Sequence, residues 1–166
     1  MEFCQHCGMQ LVEKMLEHEG QVPYCENCQA FRFPQHDLAV SMIVYDEQMQ
    51  KILLIQQYHM RQYILVAGYV NKGEKLEEAV KREVLEETCL TVEIIAFNAS
   101  SFYEKNQVLM VNFVCRAKKA SDLKLNHEVE AANWFHPDQA KEVILSPSLA
   151  KNFLLNWLDK KSSLNK

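Results

Sequence analysis

Glu83, Glu86 and Glu87 stand three and four residues apart in the stretch GYVNKGEKLEEAVKREVLEETCL, from Gly68 to Leu90, where Leu76, Ala79, Val80 and Val84 recur at steps of three and four. That period is the buried stripe of one helix, and it puts the three carboxylates on a neighbouring face. Held that close they repel one another unless a cation sits among them. A cluster of hard oxygen ligands suits Mg2+ or Mn2+, ions that also bind phosphates. Arg82, beside Glu83, can grip a carboxylate through two hydrogen bonds and fix its aim. Gly68 and Gly73 bracket a loop ahead of the helix, and Glu74 follows. The plainer reading of such a charge run is a solvated acidic helix face.

A second set of residues is sulfur. Cys4-x2-Cys7 and Cys25-x2-Cys28 are separated by 17 residues. Paired knuckles at this distance read as a Cys4 zinc site, with four thiolates at tetrahedral corners, two from each tight turn. Gly8 follows Cys7 and supplies the positive φ such a turn needs. So small a unit has almost no apolar core, so the metal would contribute most of its folding energy. Four thiolates leave no open coordination position, which makes this zinc structural and leaves His6 and His18 as surface residues. Four reduced thiols or a redox pair are the alternative.

The glutamate stretch resembles the Nudix box, G-x5-E-x7-R-E-U-x-E-E-x-G-U with U aliphatic. Gly68, Glu74, Arg82, Glu83, Val84, Glu86, Glu87 and Leu90 fall in register, eight of nine positions over 23 residues. Cys89 stands where the box has Gly. That Gly ends the helix in a left-handed conformation, which costs another residue roughly 1–2 kcal/mol, so Cys89 reads as a slightly strained cap and not a ligand.

The elements that must position these groups follow from patterning. LAVSMIVYD from Leu38, KILLIQQYHM from Lys51 and YILVAGYV from Tyr63 read as strands, the last delivering the chain to the box. TVEIIAFNASSFYE and QVLMVNFVCRA read as a long hairpin bent at Lys105 and Asn106, and HEVEAANWF from His127 as a further strand. Pro137 opens a short helix, and Ser146-Pro147-Ser148 starts a last one whose apolar face is Leu149, Phe153, Leu154, Trp157 and Leu158. The expected class is α/β: a mixed sheet sandwiched by helices, as in the Nudix α/β/α fold, behind an N-terminal zinc ribbon. The expected layout is ribbon 1–34, Nudix hydrolase domain 35–160 and a disordered tail 161–166.

Composition is that of an ordinary globular protein: 166 residues, 48% hydrophobic and 24% charged, with net charge −4. The acidic balance argues against nucleic acid as a partner. In the ribbon, Lys14 and Arg32 are outnumbered by Glu2, Glu13, Glu17, Glu19 and Glu26. No apolar run approaches a membrane span. MEFCQHCGMQ does not read as a signal peptide, and six Cys without one suit metal binding in a reducing, cytoplasmic setting.

A ribbon ahead of the box resembles the NADH pyrophosphatase branch of the family. FPQHDLAV, LVAGYVNKGE, EVEAANWF and SPSLAKNFLLNWL carry the same resemblance more loosely. The branch's S-Q-P-W-P-F-P-x-S signature is lost: its window here is SSFYEKNQV from Ser100.

The resemblance implies Mg2+- or Mn2+-dependent hydrolysis of a diphosphate joining a nucleoside to another moiety, as in NADH, NAD+ or ADP-ribose. It implies Glu83 and Glu87 as metal ligands, with Glu86 and Glu128 as further ones and either Glu86 or Glu87 as general base. Arg82 would orient Glu83 and Glu74. Tyr69, beside Gly68, would stack on a base or nicotinamide ring; a half-buried strand aromatic is the alternative. His59, Arg61 and Lys72 are candidates for phosphate contact. Relatives that share sites across a homodimer imply one here. The competing function is a nucleotide-sensing adaptor that does not hydrolyse; every charged residue of the box being intact stands against it.

Overall fold

A computed structural model describes residues 3–57 and 59–164. Two compact units divide between His36 and Asp37.

The first unit is a three-stranded antiparallel sheet in the order β1 (Val12–Leu16), β2 (Gly20–Cys25), β3 (Ala30–Phe31). The first knuckle closes through Gly8 N–H to the Cys4 carbonyl (2.8 Å), with Gly8 at φ 74°, the positive value its turn demands. The second closes through Cys28 N–H to Cys25 Sγ (3.4 Å).

The second unit is built on β4 (Asp37–Tyr45), whose hydrogen-bonding edges are used unequally. One edge pairs in parallel with β8 (Val108–Ala117) along its whole length. The other is split: Val44 and Tyr45 pair with β5 (Ile52–Gln56), while Ala39–Met42 pair with β6 (Val66–Tyr69). The sheet runs β7-β8-β4-β5-β9, with β7 (Val92–Tyr103) and β9 (Ala131–Phe135) at its edges. Beyond β6 comes α1 (Leu76–Thr88), and after β9 come α2 (Pro137–Val143) and α3 (Leu149–Leu164).

Both sheet faces are covered, which is why β4 and β5 are apolar without alternation. Val40, Met42 and Val44 on β4, with Leu53 and Ile55 on β5, pack against Ala79, Val80 and Val84 of α1. Their neighbours Ile43, Tyr45, Ile52 and Leu54 face Ala140 of α2 and Phe153, Leu154 and Leu158 of α3. The mixed sheet between helices and the apolar stripes of both long helices therefore stand as expected. The helix α1 ends as its sequence implied: Cys89 is left-handed (φ 56°, ψ 10°), and its N–H caps the Leu85 carbonyl.

Three expectations change. Residues 161–164, read as tail, continue α3, where Ser162 and Ser163 hydroxyls bond back to the Leu158 and Asp159 carbonyls; 165–166 lie outside the described residues. The third strand pairs regularly only from Val66, with single bridges at Tyr63 and Ile64. The strand read from His127 starts at Ala131, because the Asn126 carboxamide accepts the N–H groups of Glu128 (2.9 Å) and Val129 (3.2 Å) and holds a turn there instead. Glu128 thus lies on a turn ahead of β9.

Beneath α3 runs a buried polar chain. Asn98 donates to Asn112 Oδ1 and to the Phe153 carbonyl (both 2.9 Å), and Asn112 donates to Ser41. Asn156 and Lys160 of α3 donate to Asn98 in turn. Asn98→Ala leaves the Asn112 oxygen and the Asn156 amide without their partner beneath α3 and should cost about 1–3 kcal/mol in urea unfolding. A loss under about 0.5 kcal/mol would show that the chain of amides does not hold the helix.

Candidate active site

Arg82 is the hub of the site. Its Nε donates to Glu74 Oε1 (2.7 Å) and its Nη2 to Glu74 Oε2 (2.9 Å), a two-pronged grip. Nη1 donates to Glu83 Oε1 (2.6 Å) and Glu86 Oε2 (3.1 Å), and Nη2 also to the Tyr69 carbonyl (2.9 Å). One side chain thus ties the end of β6, the loop before α1 and two turns of α1. Glu74 is held from the other side by Asn71 N–H (2.8 Å). The guanidinium, then that N–H, hold its carboxyl down to about 2, so Glu74 is a fixed anion.

Gly68 explains itself by contact. A Cβ there would lie 2.0–2.3 Å from the Glu83 carboxylate, so the absence of a side chain lets that carboxylate sit on the strand. Val40 faces Gly68 across the ladder and belongs to the core under α1, so Gly68 is on the α1 face. Tyr69, the next residue, is on the other face by strand alternation and is 57% exposed. The structure brings the Tyr69 carbonyl, and not its ring, to the carboxylates.

Glu87 is the buried member of the set, 5% exposed. Gln57, also buried, donates to its Oε1 (2.8 Å). Its Oε2 is the one buried side-chain oxygen or nitrogen without a hydrogen-bond partner among the described residues. Burial, and then the charges of Glu83, Glu128 and Glu86, push its carboxyl up to about 7. Glu128 is therefore within electrostatic reach of Glu87, and the Asn126 turn that places it is anchored by Asn126 N–H to the Glu87 carbonyl (3.3 Å). Glu86 is 56% exposed. His59 pairs with Glu130 (2.9 Å), while Arg61 and Lys72 are exposed.

Gln57 and Asn126 were not legible as site residues. Each lies far in sequence from α1, and neither sits in a motif. One guanidinium faces Glu74, Glu83 and Glu86, and Glu87 and Glu128 add two more carboxylates. That excess of negative charge around an unpartnered buried oxygen fits a hard divalent cation. Glu83, Glu86, Glu87 and Glu128 are the residues that could hold it.

In the first unit the four thiols alone, among the described residues, form a group whose ligand atoms all lie within 4.8 Å. Sγ separations are 4.0 Å for Cys4–Cys28 and 3.5 Å for Cys7–Cys25. Tetrahedral sulfurs 2.3 Å from zinc stand about 3.8 Å apart, so the set fits that metal. Arg32 Nε donates to Cys4 Sγ (3.3 Å) and holds that thiol down to about 5.

The NUDIX domain profile matches residues 35–155. The chain belongs to the Nudix hydrolase family. It is 31% identical over 140 residues to the NAD-capped RNA hydrolase NudC of Photorhabdus laumondii, covering 83% of this chain and 52% of that protein. It is 33% identical over 138 residues to NudC of Vibrio cholerae, covering 81% and 49%. Against Nudix hydrolase 19, chloroplastic, of Arabidopsis thaliana it is 30% identical over 152 residues, covering 86% and 34%. The chain spans about half or less of the length of these relatives. Among solved structures, a Nudix hydrolase from Nitrosomonas europaea shares the fold at TM-score 0.69 and 21% identity, covering 98% of this chain and 93% of that one. An ADP-ribose pyrophosphatase from Streptococcus suis matches at TM-score 0.61 and 25% identity, covering 76% and 92%.

The raised Glu87 carboxyl has a consequence for stability. Its folded value of about 7 lies above the ordinary 4.5, so the metal-free protein has this contribution in full below pH 4.5 and loses it as pH rises through about 7. Glu87→Gln removes the buried charge and should raise the metal-free Tm at pH 8 by about 3–8 °C, with the gap closing towards pH 5. A variant no more stable than the wild type at pH 8 would contradict the crowded-charge description.

Proposed function

We propose that the protein hydrolyses the diphosphate bond of nucleoside diphosphates linked to a second moiety, with NADH, NAD+ and ADP-ribose as the substrate class. The observation that carries this is the unpartnered, buried Glu87 oxygen among carboxylates that Arg82 aims. Mg2+ or Mn2+ held by Glu83, Glu86, Glu87 and Glu128 would neutralise diphosphate oxygens and lower the barrier to attack by water. Arg82 and Gly68 keep the Glu83 carboxylate seated on β6. Glu74 is a fixed anion that holds the Arg82 fork and so belongs to the scaffold of the reaction. Glu86, still in contact with solvent, can orient a water, while Glu87 is sheltered from it. Tyr69 is exposed on the opposite sheet face, and a ring of the substrate would meet it only by passing around the strand end.

Selectivity in this reading is broad. The window of the lost Pro-rich signature is a plain hairpin, with Phe102 opposite Leu109, Tyr103 opposite Val108 and a single turn over Glu104–Asn106. No rigid Pro turn pre-organises a pocket for the distal half of a dinucleotide. The names of the relatives bring NAD-capped RNA into the range to be tested, and the acidic ribbon argues for the small dinucleotides over it. The homodimer implied by the resemblance is part of the same proposal.

Turnover should be measured with Mg2+ and Mn2+ over NADH, NAD+, ADP-ribose, FAD and NAD-capped RNA, with products identified. We expect release of monophosphate products from several of these, with NADH favoured over ADP-ribose by less than about tenfold, or about 1.4 kcal/mol. Glu87→Gln should lower kcat by at least about a hundredfold. Metal-dependent binding without hydrolysis of any member would overturn the enzyme reading in favour of a nucleotide sensor.

The Cys4, Cys7, Cys25 and Cys28 cluster is assigned to a structural zinc, since four thiolates close its shell. Elemental analysis should find one zinc per chain. Cys4→Ser with Cys25→Ser should lower stability before it touches turnover. A fully folded preparation without zinc would contradict the assignment.

A further inference from the structure

Gln57 leaves β5 at its end, where neither the box nor any recognised spacing marks it, yet its side chain spans to α1. Its backbone is pinned on both sides: Glu130 N–H donates to the Gln56 carbonyl (2.9 Å), and Met60 N–H donates to the Gln57 carbonyl (3.1 Å). From this fixed base the amide donates 2.8 Å to Glu87 Oε1. We propose that Gln57 is a positioning residue for the divalent-cation site, holding one oxygen of Glu87 so that the other, Oε2, is presented as the ligand atom.

Three observations carry this. First, the terminal torsion of a glutamate is broad, so a carboxylate without a donor has no fixed plane. Here the hydrogen bond to Gln57 selects one. Second, the pairing is half complete. A donor that served only to satisfy a buried carboxylate would not leave its second oxygen bare, and Oε2 is left bare. Third, the donor is neutral. A lysine or arginine in this place would cancel the charge that attracts a cation, as Arg82 does for part of the cluster. An amide orients the carboxylate and leaves its charge intact. Partners that aim ligands in this way, without touching the metal, often govern metal affinity.

The inference rests on the hydrolase reading for its role in turnover, but its first readout does not. Mn2+ binding to the full, zinc-loaded chain should be titrated without nucleotide, following the electron paramagnetic resonance of free Mn2+. Glu83→Gln marks the background from other sites. Gln57→Met keeps length and removes the donor, and Gln57→Asn keeps the amide and shortens its reach. Both should weaken Mn2+ binding by about tenfold, and by no less than about threefold. With ADP-ribose at saturating Mn2+, both should lower kcat by about tenfold with KM within about threefold. Leaving a buried carboxylate without its donor should also lower the metal-free Tm by about 2–8 °C, whereas the fall in kcat with KM held is a split that a merely structural role would not give.

Mn2+ binding within about threefold of the wild type in the variants that fold would overturn the assignment. Should Gln57→Met fail to fold, Gln57→Asn decides. Should the wild type hydrolyse no diphosphate while Mn2+ binding still depends on Gln57, the functional reading fails and this inference stands.

Discussion

The guanidinium of Arg82 is the interaction on which the second unit's site depends. It binds both oxygens of Glu74, one oxygen each of Glu83 and Glu86, and the Tyr69 carbonyl. Removed from it, these carboxylates would repel one another and disperse towards solvent. With it, three anions and a strand end share one cation, and the pairs support each other in keeping the guanidinium charged; its pKa is raised above the usual arginine value, first by Glu74. The clamp is selective in what it neutralises. Glu74 has both oxygens occupied and becomes part of the frame. Glu83 and Glu86 each give it one oxygen. Glu87 is outside its reach and keeps its charge problem.

The sheet supplies the other half of the constraint. Because β4 pairs with β5 at one end and β6 at the other, two different strands reach α1 from a single edge. Through β6 comes Gly68, whose missing side chain is the seat of the Glu83 carboxylate. Through β5 comes Gln57, which meets Glu87 one turn further along the helix. The C-terminal end of α1 is finished by Cys89 in a left-handed conformation, and by Lys124 and Asn126, whose N–H groups cap the Thr88 and Glu87 carbonyls. That last segment also places Glu128. Capping the helix and assembling the acidic cluster are thus one structural act.

Much of this was legible in the sequence because its determinants are local. The helix stripe, the spacing of Glu83, Glu86 and Glu87, the glycine ahead of them and the paired cysteines all act within a turn or a knuckle. The apolar runs of β4 and β5 likewise marked them as strands. What could not be read depends on contacts between distant segments. Gln57 is one of two adjacent glutamines, and nothing in their order says that one reaches Glu87 while the other turns to the Arg61 carbonyl. Glu128 read as a strand residue because its neighbours are apolar and alternate, whereas the Asn126 side chain wins the local hydrogen bonds. Tyr69 was named beside Gly68 from the family pattern, but strand alternation separates the two residues onto opposite faces.

The most direct test is anomalous diffraction from a crystal of the protein soaked in Mn2+, recorded on both sides of the manganese absorption edge. The account predicts a manganese peak bordered by Glu83, Glu86 and Glu87, within bonding distance of Glu87 Oε2, with Arg82 still gripping both oxygens of Glu74. A peak remote from Glu87, or an Arg82 that lets go of Glu74 to admit the metal, would contradict it.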